Sequence, residues 1–587
     1  MCGLFGFAMT DPEAIASRLK QGRAALESLS HRGPDQAGEY VSGSVYLGHR
    51  RLSIMDLSES GRQPMLSADE GVAITVNGEI YNYRALKEQL ASKYRFASHS
   101  DSEVVLHGYA EWGIAGLVER LEGMYAAVIC DFKQRKIFLL RDRVGIKPLY
   151  HCFVEGRFVW ASELKAIVTF VGRDKLSVDS TALFDFLTYR YVPSPKTLYR
   201  DVCKLEPAHY LEYSMDSAHS RAVEYWQLGT QDSEQCSWRD APDRIAAAVK
   251  SSVIEQMMSD VPVGFFLSGG IDSSVVVTAA TQAGVNARTF SIGFDDRKHD
   301  ETAFAQLLAQ SLGVAHEIRR LSALEAVDLV SWMQQTFDEP FADTSALATF
   351  KLAEFARQAV TVALSGDGGD ELFGGYAWYG RYRYFSPLSR VFSAFLPGSL
   401  RQAAFVRNPV NLLQKVRNRA LVVAQKDPLA LFQSLVPGLS AGERNRYRAA
   451  LEIPGDYDAL WSLRRFYRPE LGALKSLQYL DLKTFLPDDV LTKVDRTTMA
   501  VSLEVRVPLL STALIELAFA LPEQFHYSGG RLKAGLKAAF AECVPSAILN
   551  RPKKGFGLPT HAWRREMFGS YATFSEAMLV QGYGVSP

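Results

Sequence analysis

The chain has 587 residues, of which 47% are hydrophobic and 22% charged, and its 65 basic and 65 acidic side chains give a formal net charge of +0. This composition is typical of a globular protein with two or more domains, and the balanced charge does not favour nucleic-acid binding. No apolar run reaches the roughly 18 residues of a membrane span and the cysteines form no Cys-x-x-Cys pair, so we expect a cytoplasmic protein without a membrane span, zinc site or disulfide.

Cys2 directly follows the initiator methionine. If Met1 is removed, the thiol and a free α-amine share one carbon, and the amine, whose pKa is about 8, is partly unprotonated near neutral pH. It would then accept the thiol proton and leave a nucleophilic thiolate. On Cys2 alone a chance cysteine is the simpler explanation, so the motifs that follow decide between the two.

Five short motifs occur in order along the N-terminal part of the chain. They are Cys2-Gly3-Leu4-Phe5-Gly6, His31-Arg32-Gly33-Pro34-Asp35, Arg50-Arg51-Leu52-Ser53-Ile54, Asn77-Gly78-Glu79-Ile80-Tyr81-Asn82 and Ser100-Asp101-Ser102-Glu103. Together they resemble the class II glutamine amidotransferase domain, which has an N-terminal-nucleophile fold. The resemblance predicts an α+β domain over residues 2–213, with stacked antiparallel sheets between helices.

The resemblance also implies catalytic roles. Cys2 would be the nucleophile, and the Asn77 side chain and the Gly78 N–H would form the oxyanion hole. Asn77 follows the alternating, strand-like run 72–76. A strand end would hold both donors fixed against the oxyanion of a tetrahedral intermediate.

Glutamine carries an α-carboxylate and an α-ammonium group, so its pocket needs a fork-shaped cation and an anion. The residues that match the family's glutamine pocket are Arg51, Asn77, Glu79 and Asp101. Arg51 would bind the carboxylate, and Glu79 and Asp101 would bind the ammonium. A lone arginine would otherwise be interpreted as a surface charge.

Strand-like runs continue over 125–132, 136–140 and 157–162, and a helical pattern covers 183–189. The segment 229–240 is rich in Gln, Ser and Asp, which favours a linker. We therefore predict a linker over 214–240 and a second domain over 241–587.

A strand–turn–helix pattern opens the second domain. The apolar run 261–267 is predicted as a buried strand, a helix begins at Asp272, and Ser268, Gly269 and Gly270 lie between them. Such a turn exposes backbone N–H groups to a phosphate, and Asp272 adds a carboxylate that can hold Mg²⁺. The string Ser-Gly-Gly-Ile-Asp-Ser-Ser resembles the pyrophosphate loop of the ATP-pyrophosphatase superfamily, whereas the Gly-x4-Gly-Lys-Ser/Thr loop of kinases and GTPases is absent.

Strands over 288–294 and 360–364 alternate with helices, which predicts a parallel sheet covered on both faces. Ligands of such sheets bind at the carboxyl ends of the strands. The candidate ATP-binding residues at that edge are Leu267, Ser268, Gly269, Gly270, Asp272, Ser273, Ile292, Ser365 and Gly366.

Acidic residues follow the third of these strands in the string Ser365-Gly366-Asp367-Gly368-Gly369-Asp370-Glu371. Carboxylates this close repel one another unless a cation lies between them. By the resemblance, Asp370 is a metal ligand with Asp272, Asp367 orients the acceptor or its intermediate, and Lys553 stabilises the transferring phosphates. Lys554 is the second choice for that lysine, and the segments 493–496 and 504–508 are expected to support the site.

The whole arrangement resembles the glutamine-hydrolysing asparagine synthetase family over nearly all of the chain. The implied reaction hydrolyses glutamine at Cys2, adenylates a carboxylate acceptor with ATP and Mg²⁺, and lets ammonia displace AMP. Aspartate is the expected acceptor, and a homodimer is one possible assembly. The alternatives are another carboxylate, such as a uronic acid in surface-polysaccharide synthesis, and a catalytically silent scaffold.

Two features of the sequence leave the identity of the acceptor carboxylate undecided. The segment 338–346 lacks the Thr-Thr-x-Arg pattern that some asparagine synthetases have near the acceptor, and Ser511 stands where relatives usually have Asp.

The stretch 376–426 has nine Lys or Arg residues and no Asp or Glu. It is interpreted first as a helical insertion with a solvated basic face, and otherwise as a surface for an anionic acceptor or a membrane.

Overall fold

The computed structural model describes residues 2–229, 238–296, 299–322, 325, 332–396, 412–555, 557 and 573–586. The strands of the N-terminal region are β1 (Cys2–Met9), β2 (Gln36–Ser42), β3 (Val45–Arg51), β4 (Met65–Leu66), β5 (Val72–Ile80), β6 (Gly123–Asp131), β7 (Lys136–Arg141), β8 (Tyr150–Val154), β9 (Arg157–Ala161), β10 (Val202–Lys204), β11 (His209–Ser214) and β12 (His219–Glu224). Its helices are α1 (Leu19–Glu27), α2 (Tyr83–Leu90), α3 (Glu103–Arg120), α4 (Leu164–Val171) and α5 (Ser180–Tyr189).

These strands form two antiparallel sheets, with the orders β10-β8-β9-β1-β3-β2 and β12-β11-β7-β6-β5-β4. Alternation along β1 shows how they are layered: Leu4 and Ala8 pack into a core shared with strands of the other sheet, whereas Phe5 and Phe7 pack against α1 and α4. Helices α2 and α3 cover the outer face of the second sheet. The predicted stacked sheets between helices are confirmed.

The second region is built on the parallel strands β13 (Val263–Phe266), β14 (Arg288–Phe294), β15 (Ala315–Leu321), β16 (Val362–Leu364) and β17 (Glu504–Arg506), in the order β15-β14-β13-β16-β17. A small hairpin, β18 (Tyr527–Ser528) and β19 (Arg531–Leu532), follows them. Phe265 and Leu364 pack on one face of the sheet, and Phe266 and Ala363 on the other. Both faces are thus buried, as the nearly unbroken apolar strands predict.

The helices of this region are α6 (Ala241–Gln256), α7 (Ile271–Gln282), α8 (Thr302–Leu312), α9 (Ser345–Arg357), α10 (Gly369–Phe373), α11 (Ala377–Phe392), α12 (Leu412–Val423), α13 (Pro428–Gln433), α14 (Ala441–Arg444), α15 (Trp461–Phe466), α16 (Ala473–Lys483), α17 (Thr492–Met499), α18 (Thr512–Ala520), α19 (Ala534–Ala539), α20 (Ser546–Leu549) and α21 (Phe574–Tyr583). A π-helical turn, Leu486–Leu491, runs directly into α17. In the described ranges no helix is both long and apolar enough to cross a membrane.

Part of the predicted linker is structured. Strand β12 lies within 214–240 and pairs with β11, so the sheet of the first region extends to Glu224. Its side chains are mostly exposed, which explains why its sequence lacks the apolar alternation of a half-buried strand. Residues 230–237 of the linker and 397–411 of the basic stretch lie outside the described residues.

Candidate active sites

Cys2 begins β1 and Asn77 lies inside β5, so the two residues come from different sheets, and Asn77 does not follow the end of a strand as the sequence predicted. The backbone N–H of Cys2 donates to Asn77 Oδ1 over 2.8 Å. Asn77 Nδ2 is buried and has no hydrogen-bond partner among the residues that the structure describes. Leaving a buried donor without a partner costs about 1–3 kcal/mol. This N–H group is therefore available to a group that binds beside Cys2.

Gly78 has a backbone conformation that other residues avoid. Its φ is +145°, and a Cβ atom would lie 1.9 Å from the carbonyl oxygen of Met124 on the neighbouring strand. Only glycine fits here, although Gly78 stays paired with Tyr125 inside β5.

The surroundings of the Cys2 thiol oppose its ionisation. Burial raises the thiol pKa, while a hydrogen bond with the Leu52 backbone and the charge of Arg51 lower it to a smaller extent. A thiol with a raised pKa needs a base to become a nucleophile near neutral pH. The environment of Cys2 thus makes a proton acceptor necessary.

Arg51 is held rigidly beside Cys2, its partner in the β1–β3 ladder. Its buried guanidinium donates from Nη1 and Nη2 to Gln36 Oε1 over 2.7 Å and to the carbonyl oxygens of Met55, Asp56 and Ser58. The predicted carboxylate-binding residue is therefore not a surface charge.

Glu79 and Asp101, the predicted ammonium ligands, are brought together in the interior. Asp101 Oδ2 accepts from the Ile80 N–H over 2.6 Å, one residue beyond Glu79. Burial raises the pKa of both carboxyls, and the charges of Asp101 and Glu504 add to the shift at Glu79. Arg506 Nη2 lies 3.5 Å from Glu79 Oε1. A pair of buried acids with raised pKa values gains stability from a further cation.

A buried charge network joins this site to the second region. Arg32 is fully buried, and its Nε donates to the Cys2 carbonyl over 3.0 Å. Its Nη atoms bind Glu163 at 2.8 Å and both oxygens of Asp495 on α17 at 2.7 and 3.0 Å. Arg496 in turn lies 2.7 Å from Glu163. The segment 493–496, expected as support, thus ties α17 to the backbone of the predicted nucleophile.

The phosphate-loop motif forms the turn that the sequence predicts. Ser268 Oγ lies 3.1 Å from Ser273 Oγ and accepts from the Gly270 N–H over 3.2 Å. Gly269 has a φ of +74°, and a Cβ atom there would lie 2.8 Å from the Ala305 backbone. Gly269 therefore makes the turn possible, while its neighbours form the surface of the loop.

A cavity of about 540 Å³ lies at the carboxyl ends of β13, β14 and β16. Volumes of this order suit nucleotide-sized ligands. The predicted residues that line it are Leu267, Ser268, Gly270, Asp272, Ser273, Ile292, Ser365, Gly366, Asp367, Asp370 and Lys553. The structure thus brings together every predicted residue of the second site except Gly269, which shapes the loop.

The two predicted metal ligands share a lysine. Lys533 Nζ lies 2.5 Å from both oxygens of Asp272 and 2.6 Å from Asp370 Oδ1, and Lys553 also forms an ion pair with Asp370. Burial opposes ionisation of Asp370, but the charges of Lys533 and Lys553 outweigh it and lower the pKa. A cation does lie between the carboxylates, as the repulsion argument requires, and here it is the Lys533 ammonium.

Sequence reasoning did not assign Lys533, Lys493 or Arg190 to the lining of this cavity. Lys533 follows the β18–β19 hairpin, far from any motif, and Lys493 was expected only to support the site. Arg190 follows α5 in the first region and still lines the cavity of the second. Of these three residues, only Lys493 lies in a segment, 493–496, that the sequence analysis had connected with the site.

Comparison with known proteins finds a family match for each half of the chain. The family described as glutamine amidotransferase domain matches residues 1–226, and the family described as asparagine synthase matches 244–581. The chain is 33% identical to asparagine synthetase [glutamine-hydrolyzing] 1 of Bacillus subtilis (strain 168), over 96% of this chain and 88% of that protein. It is 33% identical to a putative asparagine synthetase [glutamine-hydrolyzing] of Mycobacterium bovis, with the same coverage, and 27% identical to amidase chry2 of Gibberella zeae, over 96% and 90%.

Proposed function

The chain belongs to the glutamine-hydrolysing asparagine synthetase family, and from this premise we propose that its glutamine-dependent, ATP-driven amidation converts aspartate to asparagine. Cys2, Asn77 and the buried acids serve glutamine hydrolysis. The cavity above the parallel sheet serves ATP and the acceptor.

In the first half-reaction Cys2 Sγ attacks the side-chain amide carbon of glutamine. The α-amine of a processed Cys2 takes the thiol proton, which the raised thiol pKa makes necessary. Asn77 Nδ2 and the Gly78 N–H stabilise the oxyanion. Ammonia leaves, and water hydrolyses the glutamyl thioester to glutamate. Arg51 binds the α-carboxylate, and Glu79 and Asp101 bind the α-ammonium.

In the second half-reaction an oxygen of the acceptor carboxylate attacks the α-phosphorus of ATP, and pyrophosphate leaves. The loop 268–273 and the start of α7 hold the phosphates, and Lys533 and Lys553 neutralise the charge on the leaving pyrophosphate. Ammonia then attacks the acyl carbon and AMP leaves. Asp367, held by a 2.8 Å hydrogen bond from Ser365 Oγ, orients the acceptor.

Asp272 and Asp370 would hold Mg²⁺. Their carboxylate oxygens both contact the Lys533 ammonium at the phosphate edge, so the structure already places a cation between them, and such hard oxygen donors suit Mg²⁺ together with phosphate oxygens. The ion would neutralise charge on the triphosphate.

The observation that carries the glutamine-dependent part of the proposal is the buried Asn77 amide. It accepts from the Cys2 N–H through its oxygen, and its nitrogen has no partner among the described residues. The test is release of pyrophosphate with ATP, glutamine and a panel of carboxylates. We expect aspartate to give the highest kcat/KM and to yield asparagine. Turnover of another carboxylate at a higher kcat/KM would replace aspartate as the acceptor, and silence with every carboxylate would favour the scaffold.

A second candidate acceptor is a sugar acid, which one feature of the cavity favours. Tyr376 and Trp378 line it as a stacked pair with ring centroids 4.0 Å apart, and Phe485 packs at right angles to them. Aromatic side chains that line a cavity can pack against apolar ligand surfaces such as those of sugar rings. The panel therefore includes galacturonate, and Trp378→Ala should lower its turnover while leaving that of aspartate unchanged.

A further inference from the structure

Arg190 crosses from one functional half of the chain to the other. It follows α5, within the part that matches the glutamine amidotransferase family, yet its side chain lines the cavity of the synthetase half. Its carbonyl accepts from the Ala342 N–H over 2.8 Å. This contact places Arg190 against the segment 342–345, which was expected near the acceptor and contains no arginine.

The Arg190 guanidinium is oriented by a buried acid. Its Nη2 lies 3.5 Å from Asp489 Oδ2, and Asp489 is fully buried in the π-helical turn before α17. Arg190 Nε is buried and has no hydrogen-bond partner in the described part of the chain. The guanidinium is thus held through Nη2 and keeps an unused donor at Nε. Bidentate binding of a carboxylate is what a guanidinium in this situation does best.

A carboxylate, Asp343, lies near the Arg190 guanidinium and carries the opposite charge. Asp343 lines the same cavity and lies 3.6 Å from Lys493 Nζ, while its Oδ1 accepts from the Ser345 N–H over 3.0 Å. Burial opposes its ionisation, but the charges of Lys493 and Arg190 and a hydrogen bond with Asp489 lower its pKa. The cavity thus presents an ionised acid and two cations within one cluster.

The charges that act on Lys493 indicate where in the cavity this cluster lies. Burial would lower its pKa, but the charges of Asp343 and Asp367 are among those that raise it. Since Asp367 is the residue predicted to orient the acceptor, the cluster lies on the acceptor side of the cavity. A ligand with one carboxylate for Arg190 and one ammonium for Asp343 would leave a second carboxylate for adenylation.

We propose that Arg190 and Asp343 form a specificity site for an α-amino-acid acceptor, in which Arg190 binds the α-carboxylate and Asp343 the α-ammonium. This inference rests on the proposed function, because it concerns the acceptor of the same reaction. Asp489 positions Arg190, and the amidotransferase half thereby completes the acceptor pocket of the synthetase half.

The test compares ligands that each lack one charged group. Succinate lacks the ammonium of aspartate and β-alanine lacks its α-carboxylate, and both are measured as competitive inhibitors against aspartate. The assay is pyrophosphate release driven by ammonium salts, so that glutamine hydrolysis plays no part. The variants are Arg190→Gln, Arg190→Lys and Asp343→Asn, with Arg200→Gln at an exposed position as the matched control.

Arg190→Gln should raise the KM of aspartate and the Ki of succinate at least tenfold and change the Ki of β-alanine less than twofold, with Arg190→Lys between parent and Gln. Asp343→Asn should weaken aspartate and β-alanine and spare succinate. In these variants the KM of ATP and the rate of glutamine hydrolysis should equal those of the parent. The control variant Arg200→Gln should match the parent in every measurement. Equal effects of Arg190→Gln on all three ligands, or none, would overturn the site. If the parent does not use aspartate at all, the proposed function fails instead.

Discussion

The Asn77 side chain offers a sharp test of glutamine hydrolysis, because its two polar atoms have separate partners. In the parent, the Cys2 N–H donates to Asn77 Oδ1 over 2.8 Å. Asp at this position keeps an oxygen that can accept this hydrogen bond but removes the Nδ2 donor. Loss of one oxyanion-hole donor lowers kcat by about 10²–10³, equivalent to ~2.7–4 kcal/mol of transition-state stabilisation. We therefore expect Asn77→Asp to lower the kcat of glutamine hydrolysis by that factor.

Asn77→Ala removes the hydrogen bond to Cys2 as well, which should add a loss of about 1 kcal/mol in stability. The assay is glutamate release at saturating glutamine, with denaturant unfolding in parallel. Pyrophosphate release driven by ammonium salts serves as an internal control and should be unchanged. Asn286→Asp makes the same chemical change at an exposed position and should behave as the parent. A kcat for Asn77→Asp within threefold of the parent would show that Nδ2 stabilises no oxyanion.

Three further predictions concern other parts of the chain. Cys2→Ala should abolish glutamine-dependent synthesis and spare synthesis from ammonium salts, and equal loss of both would contradict two separate sites. Asp272→Asn should eliminate pyrophosphate release while glutamine hydrolysis continues; release at the parental rate with saturating Mg²⁺ would remove Asp272 as a required ligand. Burial raises the pKa of Asp481 to about 7, so the folded protein keeps a proton that the unfolded chain releases near pH 4. The contribution of this carboxyl to stability should therefore fall as pH rises from about 4 to 7. Over that range the free energy of urea unfolding of the parent should fall relative to that of Asp481→Asn, and an identical pH dependence of the two would refute the assignment.

Parts of both sites were predictable because the residues concerned lie in short, recognisable motifs. Cys2, the Asn77-Gly78-Glu79 string and Asp101 were recognised in short motifs, and the loop 268–273 was recognised from a strand, two glycines and a helix start. Alternation of apolar strands with helices likewise predicted the parallel sheet. In each case a local pattern, read over a few residues, determines a local backbone geometry.

The residues that sequence reasoning missed come together only through the tertiary fold. Lys533 reaches Asp272 across a long separation in the chain, and Arg190 enters the cavity from the other half. A lone Lys or Arg outside a motif is usually a solvated charge, so neither carries a local signal. Strand β12 was missed for a related reason: an exposed edge strand needs no apolar alternation, and its pairing with β11 is what makes it a strand.

The Arg32 network has a consequence for protein engineering. Arg32 and Glu163 come from the amidotransferase half, and Asp495 and Arg496 from the synthetase half. Each half therefore supplies counter-ions that the other buries, and removing one partner of a buried pair costs about 3–5 kcal/mol. A chimera that exchanges one half for that of a relative must keep these four residues complementary. The contact between the halves is made by buried ion pairs, so a mismatch would leave a charge buried without its partner.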